Sequence, residues 1–523
     1  MELRLDREKI IRARELSQGI VDEVMSYIHN HTTVSVERAY LRLLGIDGID
    51  ANGVPLPNVV VKQLQDANAL SRGVCYWMAN AMHNHGLTLQ EVAEQAARGK
   101  LNLLTGKENN PQIVLPLLER YAENAIQKID HQRKERQRLQ QELGQGREPL
   151  LYIIVATGDI YADIEQAKAG VMQGADIVAV IRHTAQSLFD YVPYSATDGG
   201  VGGTYATQEN FHIMRQAMDD AGRQAGKYIM VTNYCSGLCM PEIAVMGAME
   251  RLDVMLNDSM YGIIFRDINM RRTLIDQYIS RMLNGYAGII INTGEDNYLT
   301  TADAYEKAHT VIASQFINER FALESGLKEE QIGLGHAFEI SPNKKDSLLM
   351  ELAQAQLVRQ LFPNSPIKYM PPTKHMTGNI FKGHVQNTLF NLTSILTGQS
   401  IHLLGMLTEA LHTPHLQDRY LSVEGARYVF DAAGSLADEL VIKPGGQMEQ
   451  RAAQVLTDAV DMLEEINSLG LMNAISRGMF ADIARQPDGG KGQEGVITKS
   501  PDYYTPFIEL LRERRATHGF KAS

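Results

Sequence analysis

Residues 150–183 read LLYIIVATGDIYADIEQAKAGVMQGADIVAVIRH, and the organisation of the chain unfolds from this stretch. The β-branched run Leu151–Val155 ends near Thr157 and Asp159. An amphipathic segment long enough for a helix follows, and the run Ile177–Ile181 then ends in Arg182 and His183. Strand, helix and strand in this compass form a βαβ unit. Six further runs repeat it. Tyr228–Val231 leads to Asn233, Tyr234 and Ser236, and Gly262–Phe265 leads to Arg266 and Asp267. Gly288–Ile291 leads to Asn292, Glu295 and Asp296, and Ile332–Leu334 leads to His336 and Glu339. Pro366–Met370 contains Lys368, and Ile401–Leu404 contains His402. Eight repeats predict an α/β protein built on a TIM-type (β/α)8 barrel over residues 150–420. That architecture places its active site at the C-terminal strand ends, where the polar residues collect.

Helical extensions are expected on both sides. Residues 1–149 form a helical region with a charged linker. Ile10, Ile11, Leu16, Ile20, Val24 and Ile28 recur at helical spacing. Thr88 and Glu91 make a capping-box pattern that Gly99 closes, and Pro111 is placed to open a helix through Ile126. The polar run 130–142 (DHQRKERQRLQQE) reads as a solvated helix end leading into the barrel, with a basic recognition segment as the alternative. Residues 421–523 form a second helical region, in which Ala452, Val455, Leu456, Ala459 and Leu463 make a stripe that packs on the barrel.

Composition bounds the class. A chain of 523 residues, 44% hydrophobic and 21% charged, is ordinary globular material. Its net charge of −12 argues against a broad nucleic-acid surface. Three cysteines make no disulfide framework, no signal-type apolar segment opens the chain and no apolar run suits a membrane span. A cytoplasmic enzyme is the expectation.

Several segments invite specific chemistry. Cys235 and Cys239 in TNYCSGLCMPE (232–242) share the spacing of a radical iron–sulfur motif, but Glu242 stands where a third cysteine is needed. Ser236-Gly237 ahead of a helix makes a better anion cradle. The glycine-rich GGVGGT (199–204) lacks the ending of a nucleotide loop and serves equally as a strand-to-helix connection. Ser400-Ile401-His402-Leu403-Leu404-Gly405 matches the cobalt-binding D-x-H-x-x-G pattern except that Ser replaces Asp, so His402 reads as part of a strand. Lys368, Lys374 and Lys382 are the in-chain candidates for a Schiff base. No histidine spacing suggests a metal site.

Long blocks resemble one family. They are ATQENFHIMRQAM (206–218), NYCSGLCMPEIAVMGAMERLD (233–253), MYGIIFRDINMRRTLIDQ (260–277), INTGEDNYLTTADA (291–304), ASQFIN (313–318), KYMPPTKHMTGNIFKGH (368–384) and LLGMLTEALHTP (403–414). Together they resemble the α subunits of lysine 5,6-aminomutases, along essentially the whole chain.

The resemblance implies an isomerase of the intramolecular-transferase type that uses adenosylcobalamin and pyridoxal 5′-phosphate. By a radical mechanism it moves the terminal amino group of D-lysine or L-β-lysine from C6 to C5. It implies that the barrel mouth receives both cofactors. A smaller β subunit then brings a Rossmann-like cobalamin domain with D-x-H-x-x-G and the lysine that holds pyridoxal phosphate as a Schiff base. An α2β2 heterotetramer follows. By matching motif, Arg182 and Ser187 in RHTAQS and Ser236 in NYCSG resemble contacts to the cofactor phosphate and nearby oxygens. Tyr261 resembles the ring that stacks on the pyridine. Arg266, Asp296 and Lys368 resemble the charged set that holds the substrate or tunes the cofactor. Tyr261, Asp296 and Lys368 are the expected catalytic residues, and no metal ligand is expected on this chain. Two rivals remain: a large component of the ornithine 4,5-aminomutase type, which carries its own cobalamin domain, and a cofactor-free Schiff-base lyase using Lys368. A non-catalytic scaffold has no need of such charged strand ends.

Overall fold

A computed structural model describes residues 1–180, 183–199, 202–258, 260–412 and 414–517. Its centre is a ring of parallel strands: β1 Leu150–Val155, β2 Ile177–Val180, β3 Met230–Tyr234, β4 Val254–Leu256, β5 Ile290–Asn292, β6, β7 Lys368–Met370 and β8 Ile401–Leu403. Strand β6 comes in two segments. Ile332–Gly333 pairs with β5 and Gly335–Ala337 pairs with β7. Leu334 joins them, its carbonyl accepting from the Lys368 amide at 2.9 Å. Strand β8 pairs in parallel with β1, Ile401 opposite Leu150, which closes the barrel. Tyr152, Ile177, Ala179 and Ile401 fill part of its interior.

One expected strand is corrected. Gly262–Phe265 is not extended; it lies within the helix Tyr261–Arg266, and the fourth strand is Val254–Leu256. Gly262, Ile263 and Ile264 are buried in that helix. A short apolar run satisfies a buried helix turn as well as a strand, and here burial in the helix wins.

The helix Glu119–Leu143 runs past the lower ends of β4 and β5. Its polar second half is the stretch 130–142. Arg136 in it is 7% exposed, pairs with Asp253 at 2.9 Å and donates to the carbonyls of Leu252, Ala287 and Gly288. Arg138 is half exposed and pairs only along its own helix with Glu135 and Glu142. The segment is thus a solvated helix end with one anchoring arginine. Pro111 opens only a short turn, Pro111–Val114, before this long helix.

The two extensions pack together as well as on the barrel. The first helix, Arg7–His29, buries Leu16, Ile20, Val24 and Ile28, whereas Ile11 is 58% exposed. It lies against Gln447–Leu469, which buries the expected stripe of Ala452, Val455, Leu456, Ala459 and Leu463. His31–Thr33 pairs antiparallel with Val496–Thr498. The capping box at Thr88 and Glu91 is formed. The helix Leu416–Ala433 runs across residue 420. Among the described residues, no helix is long and apolar enough to cross a membrane.

Candidate active site

Strand alternation decides which residues face the barrel interior, because successive side chains point to opposite faces. On β1, Tyr152 and Ile154 line a cavity of about 210 Å³. Tyr234 and Ser236 at the end of β3, Leu256 and Asp258 after β4, and Asn292 with Asp296 after β5 line the same cavity, as do Lys368 and Met370 of β7. The intervening residues face the outer helices. His402 is fully buried there, its Nδ1 3.0 Å from Ser394 Oγ and its Nε2 2.9 Å from Asn391 Oδ1, with Phe390 stacked on the ring. His336 stacks on Tyr369 on that side too. Burial pushes both imidazoles down to about 3, so they stay neutral as packing groups.

An ion pair and a cation–aromatic pair mark the cavity. Lys368 Nζ lies 3.2 Å from Asp296 Oδ2, with both side chains buried. Burial raises the Asp296 carboxyl and Lys368 pulls it back down. Tyr261 begins the helix Tyr261–Arg266, and Arg266 Nη2 donates to its hydroxyl at 2.9 Å while the guanidinium lies 5.2 Å from the ring centroid. Glycines let the carboxylates in. A Cβ on Gly335 would lie 2.4 Å from Asp296 Oδ1, and one on Gly294 would lie 1.9 Å from Asp258 Oδ2.

Behind this wall lies a second acidic layer. Glu295 is fully buried, and its carboxyl is pushed up to about 8 by desolvation, with the Asp258 charge adding to it. Asp258, on the cavity wall in front of it, is pushed up to about 6, again mainly by burial. Arg281, also fully buried and drawn down to about 10 by desolvation, bonds to Asn257 and Asn318.

The sequence-expected residues divide accordingly. Ser236, Tyr261, Arg266, Asp296 and Lys368 meet at one cavity. Ser187 does not line it: this buried hydroxyl donates to Thr184 O at 2.8 Å, and Thr184 takes its place on the wall. The Ser187 carbonyl accepts from Leu238 N at 3.0 Å, tying this turn to the loop that presents Ser236. Arg182 lies outside the described residues, as do Gly200 and Val201 of the glycine-rich loop. Lys374 Nζ donates to Ala302 O, away from the cavity, and Lys382 is exposed. Cys235 and Cys239 donate to Met240 O and Phe189 O, while Glu242 pairs with Arg38 and Arg42. Both thiols of that loop are engaged with backbone carbonyls. Tyr152, Thr184 and Asp258 were not anticipated. Tyr152 sits inside an apolar run, where only alternation marks it as inward, and Asp258 follows the strand that the sequence reading missed.

A family model described as the TIM-barrel domain of the alpha subunit of D-lysine 5,6-aminomutase matches residues 3–510. The chain belongs to that family. A lysine 5,6-aminomutase alpha subunit of Acetoanaerobium sticklandii is 56% identical over 510 residues, covering 98% of both chains. One from Fusobacterium nucleatum is 54% identical over 511 residues, covering 98% of this chain and 99% of its own. The beta subunit of D-ornithine 4,5-aminomutase from A. sticklandii is 28% identical over 371 residues, which span 68% of this chain and half of that relative. Membership in the D-lysine 5,6-aminomutase alpha-subunit family makes this barrel a subunit of an isomerase assembly. It also gives the cavity a context: the blocks that carried the resemblance supply Ser236, Tyr261, Arg266, Asp296 and Lys368 to one wall.

The cavity's donor set suits pyridoxal phosphate. Thr184 and Ser236 both line the cavity from turns tied together by the Ser187–Leu238 bond, and Tyr261 offers an aromatic face. The buried pair Asp296–Lys368 adds a charge of each sign to the same wall.

Proposed function

We infer that this chain is the large subunit of an adenosylcobalamin- and pyridoxal-phosphate-dependent aminomutase acting on D-lysine or L-β-lysine, moving the terminal amino group from C6 to C5. Its family membership and the convergence of Tyr261, Arg266, Asp296 and Lys368 on one barrel cavity support the reading. The observation that carries it is the buried ion pair of Lys368 and Asp296 at the cavity wall.

When bound, pyridoxal phosphate supplies a carbonyl for the migrating amine, and adenosylcobalamin supplies the carbon radical that starts the rearrangement. This chain's residues position and shield. Ser236 and Thr184 hold phosphate oxygens, with Arg182 as the matching cationic partner from the family motif. Tyr261 covers one ring face. Arg266 takes the substrate carboxylate in a bidentate grip. Asp296 and Lys368 would hold charge beside the reacting end of the bound cofactor and substrate and keep it in place. The closed barrel wall, lined by Ile154, Leu256, Met370 and Leu403, excludes water from a radical.

A smaller β subunit brings the cobalamin domain and the Schiff-base lysine, in an α2β2 assembly in the cytoplasm. Reconstitution tests this. The purified chain with both cofactors is expected to leave D-lysine unconverted, and addition of the β subunit to give turnover. Conversion by the isolated chain overturns the shared-site reading.

A further inference from the structure

Asp258 stands in the cavity without an assigned task. It is 6% exposed, and it lines the same wall as Arg266, Asp296 and Lys368. Its two oxygens differ. Oδ1 accepts from the Met260 amide at 2.9 Å, while Oδ2 is buried without a hydrogen-bond partner among the described residues. Gly294, itself part of the cavity lining, leaves the space that Oδ2 occupies. A buried carboxylate oxygen with no donor is costly, on the order of 1–3 kcal/mol or more, so its persistence at a cavity wall asks for a ligand.

Charge bookkeeping says which ligand. A lysine whose terminal amine is held by the cofactor still carries one carboxylate and one ammonium. Arg266 answers the carboxylate. Asp296 has Lys368 as its cation, whereas Asp258 has no ion-pair partner among the described residues, so Asp258 is the cavity carboxylate left to meet the substrate ammonium. We propose that Asp258 Oδ2 accepts from the non-migrating ammonium of the substrate, so that it selects diamino acids over monoamino acids of the same length. This rests on the aminomutase reading above.

The backbone amide at Oδ1 fixes the carboxylate's rotamer, so that the ammonium meets a prepared acceptor. Desolvation already holds the empty Asp258 well above the usual carboxylate range. An arriving ammonium reverses this and favours the ionised form, so binding near pH 6 releases a proton.

The test is calorimetric titration of the assembled enzyme, with both cofactors, using D-lysine and 6-aminohexanoate, which keeps the terminal amine and the carboxylate but lacks the second ammonium. The wild-type enzyme is expected to prefer D-lysine, and Asp258→Asn to lose about 10- to 100-fold of D-lysine affinity while binding 6-aminohexanoate as before. Equal losses for both ligands make Asp258 a purely structural group and overturn the proposal. Should the variant fold poorly, the wild type alone decides. Titration at pH 6 in two buffers of different ionisation enthalpy is expected to show proton release with D-lysine and none with 6-aminohexanoate. Identical proton release from the two ligands overturns it. Failure of D-lysine to bind the wild-type assembly instead defeats the aminomutase reading itself, and the Asp258 proposal with it.

Discussion

Lys368 on β7 and Asp296 after β5 meet across the barrel at 3.2 Å, with side chains 5% and 0% exposed. A buried pair loses more when halved than when removed whole, because a lone buried charge has no solvent to compensate it. Lys368→Met is therefore expected to destabilise the protein by about 3–5 kcal/mol. The double variant Lys368→Met with Asp296→Asn is expected to recover much of that, although both lack activity. Urea unfolding of the single and double variants measures the difference. A double variant as unstable as the sum of its parts shows the pair to be uncoupled.

The same carboxylate can be moved without touching any charge. A Cβ on Gly335 would lie 2.4 Å from Asp296 Oδ1 and 2.7 Å from Thr293 O, distances no relaxed structure keeps. Gly335→Ala is expected to push Asp296 off Lys368 and to lower kcat by at least about 100-fold, in line with the effect of a small misplacement on an oriented site. Kinetics of the reconstituted enzyme check this, with the thermal melt as control for folding. Near-normal kcat shows that the Asp296–Lys368 geometry is not needed.

How far the sequence revealed this site depends on individual residues. Runs such as Leu151–Val155 and Ile177–Ile181 declared themselves because their β-branched residues recur beside amphipathic helices, and the barrel follows from counting them. Val254–Leu256 did not: it is three residues long and flanked by Asp253 and Asn257, while the nearby Ile263-Ile264 offered a stronger apolar signal. Missing that strand hid Asp258, two residues beyond it. His336 followed a run whose end was expected to carry chemistry, yet it lies within a strand segment and a period of two turns it outward to Tyr369. His402, read as part of a strand, lies in one and faces Phe390. Ser187 kept its motif but gave its hydroxyl to Thr184 O, a local bond that spacing alone cannot disclose.

Acid–base behaviour of the buried layer gives a third expectation. Glu295 ionises near 4.5 when unfolded and is pushed up to about 8 when folded. Between those values the folded protein keeps a proton that the unfolded chain has lost, so stability declines as pH rises and levels off above pH 8. Glu295→Gln retains an oxygen to accept from Asn318 Nδ2, as Glu295 Oε1 does, and removes the titration. Its advantage in melting temperature over the parent is expected to be near zero at pH 4.5 and greatest at pH 8. There it corresponds to a few kcal/mol, at about 1.4 kcal/mol per pKa unit. Melts across this range check the sign, and parallel pH profiles for parent and variant refute it.

The helix Glu119–Leu143 provides a paired comparison. Arg136 and Arg138 lie two positions apart in one polar run, yet their surroundings differ. Arg136 is buried, pairs with Asp253 and satisfies three backbone carbonyls at the lower ends of the strands. Arg215 also holds Asp253, at 2.8 Å, so the carboxylate is not stranded when Arg136 is lost. The three carbonyls are. Arg136→Met is expected to cost about 3 kcal/mol or more. Arg138 is 54% exposed and makes only pairs along its own helix with Glu135 and Glu142. Such pairs contribute about 0.3–0.5 kcal/mol each, so Arg138→Met is expected to shift stability by less than about 1 kcal/mol. Parallel thermal and urea unfolding of the two variants measures the contrast. Equal effects at the two positions show that Arg136 does not anchor this helix to the barrel, and that the whole run is the solvated helix end its composition suggests.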